Sequence, residues 1–282
     1  MELSVIIPTL ANHGYFVKSC ESLVSCTRAD AEFIVVYNGD SRGTGSAEKL
    51  LGHIPRLRIV RTPEYSGISR ACNEGFRLSS GAYVAFMHDD LLLQDKSWYE
   101  KLRGILDAHP DVGMVGGSEP KYIDRFPAEI SGSGAPPEYT ECDWSPTLSL
   151  ARRSDLKNGC LFDESYLMGL EDKDWALCFR RKKLKVAFLP VRHEHPGCQG
   201  SYALFRRKIR FLDYYSKEGR RERYFIEKNS DVLKPEYCET SLLKWSGKER
   251  NWRKKWWKEL YLRHYAFRIA EAFRSVLPGR KK

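Results

Sequence analysis

No stretch of the chain approaches the ~18 consecutive apolar residues needed to cross a bilayer, so no membrane-spanning helix is predicted. The amino-terminal Met-Glu-Leu-Ser-Val-Ile-Ile-Pro lacks the basic start and apolar core of a secretory signal. The eight cysteines, scattered from Cys20 to Cys238, include no C-x-x-C pair, which argues against a zinc site and a compact disulfide framework. A reducing cytoplasm is the expected compartment. There is no internal repeat or low-complexity tract, which excludes a repeat array. What is present is ordinary for a globular protein: 42% hydrophobic and 30% charged residues in 282, enough for one large domain or two small ones.

The net charge of +10 is concentrated at one end. Residues 244–282 hold 13 Lys and Arg against three Glu, while the rest of the chain balances 34 basic against 34 acidic side chains. Any partner that needs a basic surface is expected to meet this tail.

Short apolar runs at 3–7, 33–37, 57–61, 83–87, 112–115 and 186–189 read as strands, and regularity resumes at 148–152 after a long irregular stretch. Helices are expected at 15–25, 46–51, 69–78, 98–108 and 173–182. Strands alternating with helices predict an α/β protein with a mainly parallel central sheet. Residues 118–146 break the pattern with Gly, Pro, Ser and acidic residues, and loops this long are commonly functional or disordered. The expected organisation is a catalytic domain over 1–212, with halves at about 1–117 and 118–212, followed by a helical, basic and aromatic extension over 213–282.

The strand at 83–87 runs straight into His88-Asp89-Asp90. In an open α/β sheet, ligands bind beyond the carboxyl ends of the strands. Carboxylates there are placed to hold a hard divalent cation against a phosphate. An acidic turn with Asp90 capping the next helix would read the same way.

Six elements fall in order: the opening strand ending in Pro8-Thr9, V-V-Y-N-G-D, S-G-I-S-R-A-C-N-E-G, A-F-M-H-D-D, L-E-D-K-D-W and R-H-E-H-P-G. Over roughly residues 3–202 this series resembles the inverting nucleotide-sugar glycosyltransferases of glycosyltransferase family 2. That resemblance implies the Rossmann-like GT-A fold, a UDP-, GDP- or dTDP-linked donor, a Mn²⁺ or Mg²⁺ ion, and hexosyl or deoxyhexosyl transfer.

The resemblance assigns roles residue by residue. Pro8, Thr9, Asn38, Arg70, His88 and Asp89 are expected at the donor, with Tyr37 standing where another acid is common. Arg70 suits diphosphate oxygens but reads equally as a solvated helix charge. Asn73 and Gly75 are expected to let helix and sheet approach closely. Asp90 is the first choice as metal ligand, joined by one of His193 and His195; His88 is a ligand variant or a neighbour of the base. Asp172 is the expected general base, because inversion needs a carboxylate beside the acceptor hydroxyl; Glu171 and Trp175 are expected at the acceptor. As an alternative, Glu171, Asp172 and Asp174 would simply favour a helix N-terminus.

The Q-x-x-R-W signature of processive synthases is absent after Gln199, which favours addition of one or a few sugars. The acceptor class implied is a lipid-linked oligosaccharide, lipopolysaccharide or capsule glycan. In the tail, Trp257, Tyr261, Tyr265, Ile269, Phe273 and Val276 fall on one helical stripe among basic residues, as in a peripheral binder of the inner membrane surface. The alternative is packing on the catalytic domain or a second subunit; nucleic acid has no accompanying motif. A sugar-nucleotide nucleotidyltransferase or a non-catalytic membrane- or nucleic-acid-binding scaffold are the rival functions. The first would need a glycine- and arginine-rich loop where Thr9-Leu10-Ala11-Asn12 stands.

Overall fold

Apolar runs without polar interruption become strands covered on both faces. In chain order the elements are β1 (Leu3–Thr9), α1 (Gly14–Cys26), β2 (Ala31–Asn38), β3 (Leu57–Thr62), α2 (Ile68–Leu78), β4 (Tyr83–Met87), β5 (Leu92–Leu93), α3 (Trp98–Ala108), β6 (Val112–Gly117), β7 (Thr140–Glu141), β8 (Leu148–Arg152), α4 (Arg153–Lys157), α5 (Glu171–Arg181), β9 (Lys185–Phe188) and β10 (His193–Glu194). This computed structural model describes residues 1–9, 14–27, 29–38, 49, 51–62, 66–117, 139–142, 147–166, 169–195, 224–225, 227–229 and 231. Most of the helix expected at 46–51, most of the loop at 118–146 and nearly all of the extension at 213–282 lie outside the described residues. The chain divides into two compact units, Met1–Lys217 and Glu218–Lys282.

Eight strands form one sheet in the order β3-β2-β1-β4-β8-β6-β9-β7. The pairs β2–β3, β1–β2, β1–β4 and β6–β9 are parallel; β8 and β7 run against their neighbours. The mainly parallel sheet flanked by helices is therefore present, with two reversed strands in its carboxyl half.

The period-2 alternation of a strand sorts side chains to the two faces. Leu3, Val5, Ile7, Phe33, Val35, Tyr37, Ala85 and Met87 join one core cluster with Phe16, Cys20 and Leu23 of α1 and Trp98, Leu102 and Ile105 of α3. Ile6, Ile34, Val36, Val84 and Phe86 join the other, with Ala71, Cys72 and Phe76 of α2 and Trp175, Ala176 and Phe179 of α5. The helical members recur at three- and four-residue spacing, the apolar stripe of a helix on a sheet. Helix α2 enters from Gly67, whose φ of 89° lies in the left-handed region open to glycine. It then lies so close to β1 that a side chain at Gly75 would strike Ile6, as the sequence reading expected.

A second, two-stranded sheet pairs β10 with β5, His193 opposite Leu93 and Glu194 opposite Leu92. Neither strand was expected. Helix α5 begins at Glu171, two residues before the expected start. Leu170 adopts a left-handed φ of 69°, and its carbonyl accepts the Asp174 amide at 2.9 Å to close the first turn.

Candidate active site

Strand register brings the first polar pair together. The rungs Leu3–Tyr83 to Ile6–Phe86 match residues 80 apart on parallel β1 and β4. Continued three residues past the last rung, the same offset sets Thr9 beside Asp89. There the Thr9 hydroxyl donates to Asp89 Oδ2 at 2.8 Å, with both residues buried. On the other flank of β4, the antiparallel rung Met87–Leu148 continues to His88, whose amide donates to the Thr147 carbonyl at 3.0 Å. The turn His88-Asp89-Asp90 is thus anchored to both neighbouring strands.

The β5–β10 pairing supplies the next residue. Extended one step past Glu194–Leu92, its antiparallel register carries His195 back toward the turn. His195 Nε2 lies 3.1 Å from Asp90 Oδ1, with Asp90 buried and the His195 side chain only 11% exposed. The His88 and His195 rings meet edge to face at 5.6 Å. One donor atom each from His88, Asp90 and His195 lies within 4.8 Å of the others. Two donors at about 2.1 Å from a single ion are separated by at most about 4.2 Å, so a small side-chain rotation closes the set. Two imidazoles and a carboxylate are competent metal donors, and the residues fit a divalent ion.

Asp172, in the first turn of α5, faces the same place. It lies within electrostatic reach of His88. Desolvation raises the Asp172 pKa above the usual carboxylate value, opposed by the Lys173 amide, which donates to Oδ1 at 2.8 Å, and by His88. Desolvation likewise lowers the His88 pKa, reinforced by repulsion from His195 and opposed by Asp90, Asp172 and Asp89. Yet His88 is exposed and Asp172 only partly covered. A side chain that is both crowded by protein and open to solvent sits on the floor of a cleft, and that concavity reconciles the two observations.

The remaining expected residues divide. Asn38 is buried, and its Oδ1 accepts from the Ser66 amide at 2.9 Å and hydroxyl at 3.0 Å, and from Thr62 at 3.4 Å. Ser66, which sequence reasoning passed over, thereby ties the entry of α2 to the end of β2; its place directly before Gly67 was the available signal. Pro8 stays within β1, paired with Val36. Tyr37 is a core residue packed edge to face on Phe16. Arg70 is half-exposed and lies 4.0 Å from Glu164, which also accepts from Asn73 and Arg77, so the structure does not gather Arg70 into the cluster. Glu171 is partly exposed at the start of α5.

Two expectations are corrected. His193 does not join the metal donors: its Nδ1 lies 2.7 Å from the Val191 carbonyl. Residues two apart share a strand face, so orientation does not separate the histidines. What does is that His195 lies one step past the last rung, beside Asp90. Trp175 is not at an acceptor surface. It is fully buried, stacked on Phe162 at 4.4 Å, edge to face with Phe86 at 5.1 Å, and its indole donates to the Cys160 carbonyl at 2.8 Å.

A mainly parallel sheet with an acidic and histidine cluster beyond the end of its central strand defines an α/β protein of the GT-A class. The chain belongs to glycosyl transferase family 2, whose profile matches residues 4–210. Among curated relatives it is 28% identical to the glucosyl-dolichyl phosphate glucuronosyltransferase of Haloferax volcanii over 130 residues, 45% of this chain and 41% of that protein. It is 29% identical to glycosyltransferase GlyA of Streptococcus pneumoniae over 104 residues, 36% of this chain and 15% of that one. The chain thus spans less than half the length of these two relatives. Its fold is shared with the mannosyltransferase PcManGT of Pyrobaculum calidifontis in complex with GDP-Man and Mn²⁺, at a TM-score of 0.55, 17% identity, 88% of this chain and 69% of that one. It is shared also with S. aureus TarS 1–349 in complex with UDP-GlcNAc, at 0.52, 20%, 68% and 57%.

Proposed function

We propose that the chain is a metal-dependent, inverting, non-processive glycosyltransferase that moves a hexosyl or deoxyhexosyl group from a nucleotide-diphosphate sugar to a glycan acceptor. The observation that carries this reading is the convergence of Asp90, His195 and His88 with Asp172 on one cleft, at the end of strands that also hold Thr9 and Asp89 together. A divalent ion held by Asp90 and the histidines supplies the positive charge that a departing diphosphate needs.

The protein's own residues do the rest. The ionised Asp172 carboxylate takes the proton of the acceptor hydroxyl as that oxygen forms its bond to the anomeric carbon. The anomeric carbon–oxygen bond to the diphosphate breaks on the opposite face, inverting the configuration. Partial desolvation of Asp172 strengthens it as a base, while the Lys173 amide keeps one carboxylate oxygen oriented. Thr9 holds Asp89 at the rim of the donor site. Asn38 positions the α2 entry through Ser66, at the edge where the nucleoside would lie.

A lipid-linked or other cell-envelope glycan acceptor is supported by the name of the archaeal relative, whose acceptor carries a dolichyl phosphate. The basic residues 244–282 suit a peripheral place on an anionic, inner membrane face. Among the described residues no helix is long and apolar enough to cross a membrane. Thermal-shift titration of the full chain with UDP-, GDP- and dTDP-sugars plus Mn²⁺ tests the donor: one nucleotide class is expected to raise Tm, and silence from every nucleotide sinks the reading. Co-sedimentation with anionic vesicles tests the tail, since equal pelleting with and without residues 244–282 removes it as the anchor.

A further inference from the structure

The far end of α5 holds a pair of thiols that sugar transfer does not use. We propose that Cys160 and Cys178 form a redox-active pair that a peroxide converts reversibly to a disulfide, joining α5 to the turn that follows α4. At 1.5 Å of rise per residue, Cys178 lies about 9 Å along the helix from Asp172, so the proposal stands apart from the transferase reading.

Two bonds hold these segments together. The Cys178 thiol donates to the Gly159 carbonyl at 3.3 Å, and one turn earlier the Trp175 indole donates to the Cys160 carbonyl at 2.8 Å. Residues three apart share a helix face, so one face of α5 grips Gly159-Cys160 and sets the Cys178 sulfur against the peptide that leads into Cys160. The two cysteine side chains are also hydrogen-bonded to each other, the Cys160 thiol donating to the Cys178 sulfur. All the described cysteines are free thiols; five are buried, and Cys178 alone is partly exposed. The bond from Cys160 favours the Cys178 thiolate and brings its pKa down to about 7, with help from Arg181 and Lys182 and against burial and Asp174. The same bond, followed by burial, raises the pKa of Cys160.

An accessible thiolate with a second thiol beside it is the arrangement of a redox-sensing cysteine. The Cys178 thiolate attacks one peroxide oxygen, and the oxygen–oxygen bond breaks. Cys178 becomes a sulfenic acid, and the departing hydroxide takes up a proton to give water. Cys160 then gives up its proton and attacks the sulfenic sulfur; the sulfur–oxygen bond breaks and a second water leaves. Two thiols lose two electrons, and one peroxide is reduced to two waters. A thiol reductant reverses the bond, as suits a transient disulfide in a reducing compartment. The bridge replaces the Gly159 contact with a covalent tie to the helix that carries Asp172.

The test treats the reduced full chain with equimolar hydrogen peroxide and maps its thiols by mass spectrometry. A linked peptide pair carrying Cys160 and Cys178 is expected, with full reversal by dithiothreitol. Cys160→Ala is expected to stop Cys178 at the sulfenic acid, trapped by dimedone. It should also move the pH midpoint of Cys178 alkylation by iodoacetamide from about 7 toward the ~8.5 of an ordinary cysteine. Cys178→Ser, at the partly exposed member, is expected to leave Cys160 reduced at the same dose. The proposal is overturned by a Cys178 that stays reduced, by its disulfide to any other cysteine, or by equal oxidation of Cys160 in Cys178→Ser. An alkylation midpoint near 8.5 in the unaltered chain overturns it too, and that measurement holds even if Cys160→Ala fails to fold.

Discussion

The two halves of the sheet hold their share of the cleft in different ways. On the amino-terminal side, β1, β2 and β4 are long, parallel and buried on both faces, and their register alone aligns Thr9 with Asp89 and Asn38 with Thr62. On the carboxyl side, His195 is carried by a strand of two residues paired with another of two, and Asp172 by a helix entered through a left-handed leucine. The first half is a fixed platform, since shifting one side chain there means shifting a strand. The second rests on single contacts. On the proposed reading, the platform carries most of the donor contacts, while the shorter elements add His195 and the base Asp172, which must meet a second substrate.

The sharpest way to break this division is at Asp172. Asp172→Asn is expected to lower transfer by roughly 10²- to 10⁴-fold while nucleoside-diphosphate affinity, measured by calorimetry, stays within error. Loss of both would mean that Asp172, and not only His195, helps build the donor site. The pH profile sharpens the point. Desolvation raises the Asp172 pKa, and only the ionised form accepts a proton, so the acid limb of turnover is expected above the ordinary aspartate value of about 3.9. The same shift acts on stability. Between the unfolded and the raised folded pKa the native state binds more protons, so in the ion-free protein stability declines as pH rises through that window. Asn at 172 removes the decline, and urea titrations across pH will show it.

Next in size is Trp175, which separates a core role from an acceptor role. Removing a fully buried tryptophan costs about 3–5 kcal/mol, so Trp175→Ala is expected to shift the urea midpoint strongly. Its stack with Phe162 and edge contacts with Phe86 and Phe179 support the helix that carries Asp172. Trp175→Phe, which keeps the ring and loses the bond to Cys160, is expected to recover most of the stability. A variant of unchanged stability with weakened acceptor binding would return Trp175 to the site.

The contrast also explains what could be read from the chain alone. The strand at 83–87 and the helix at 98–108 were legible to the residue, because a run buried on both faces or a stripe at helical spacing is long enough to show its period. Two-residue strands such as Leu92–Leu93 and His193–Glu194 have no period to detect, so the element that brings His195 beside Asp90 was invisible. The start of α5 lies two residues earlier than the pattern suggests because the helix is entered through a left-handed Leu170 directly after Gly169, which is itself at a φ of 80°. Trp175 was misplaced because an aromatic beside an E-D pair reads alike whether it points into the core or toward a ligand. The place of Asp89 and Asp90 just past the end of β4 could be read because an abrupt charge marks a strand end.

The smallest expected effect tests the platform itself. Thr9→Val keeps the shape of the side chain and deletes its hydroxyl, so the 2.8 Å bond to Asp89 is removed with little change in packing. A hydrogen bond to a charged group contributes about 1.5–3 kcal/mol, and a loss of stability on that scale is expected by urea denaturation. If the strands hold Asp89 in place by register, donor affinity should fall with it by no more than about tenfold, since the backbone rungs of β1 and β4 remain. If instead the hydroxyl alone orients the turn, donor affinity should collapse while stability barely moves, and His88→Ala and Thr9→Val should no longer act additively. A double-mutant cycle on donor binding distinguishes the two, because side chains on a rigid platform with separate contacts add, whereas side chains sharing one mobile turn do not.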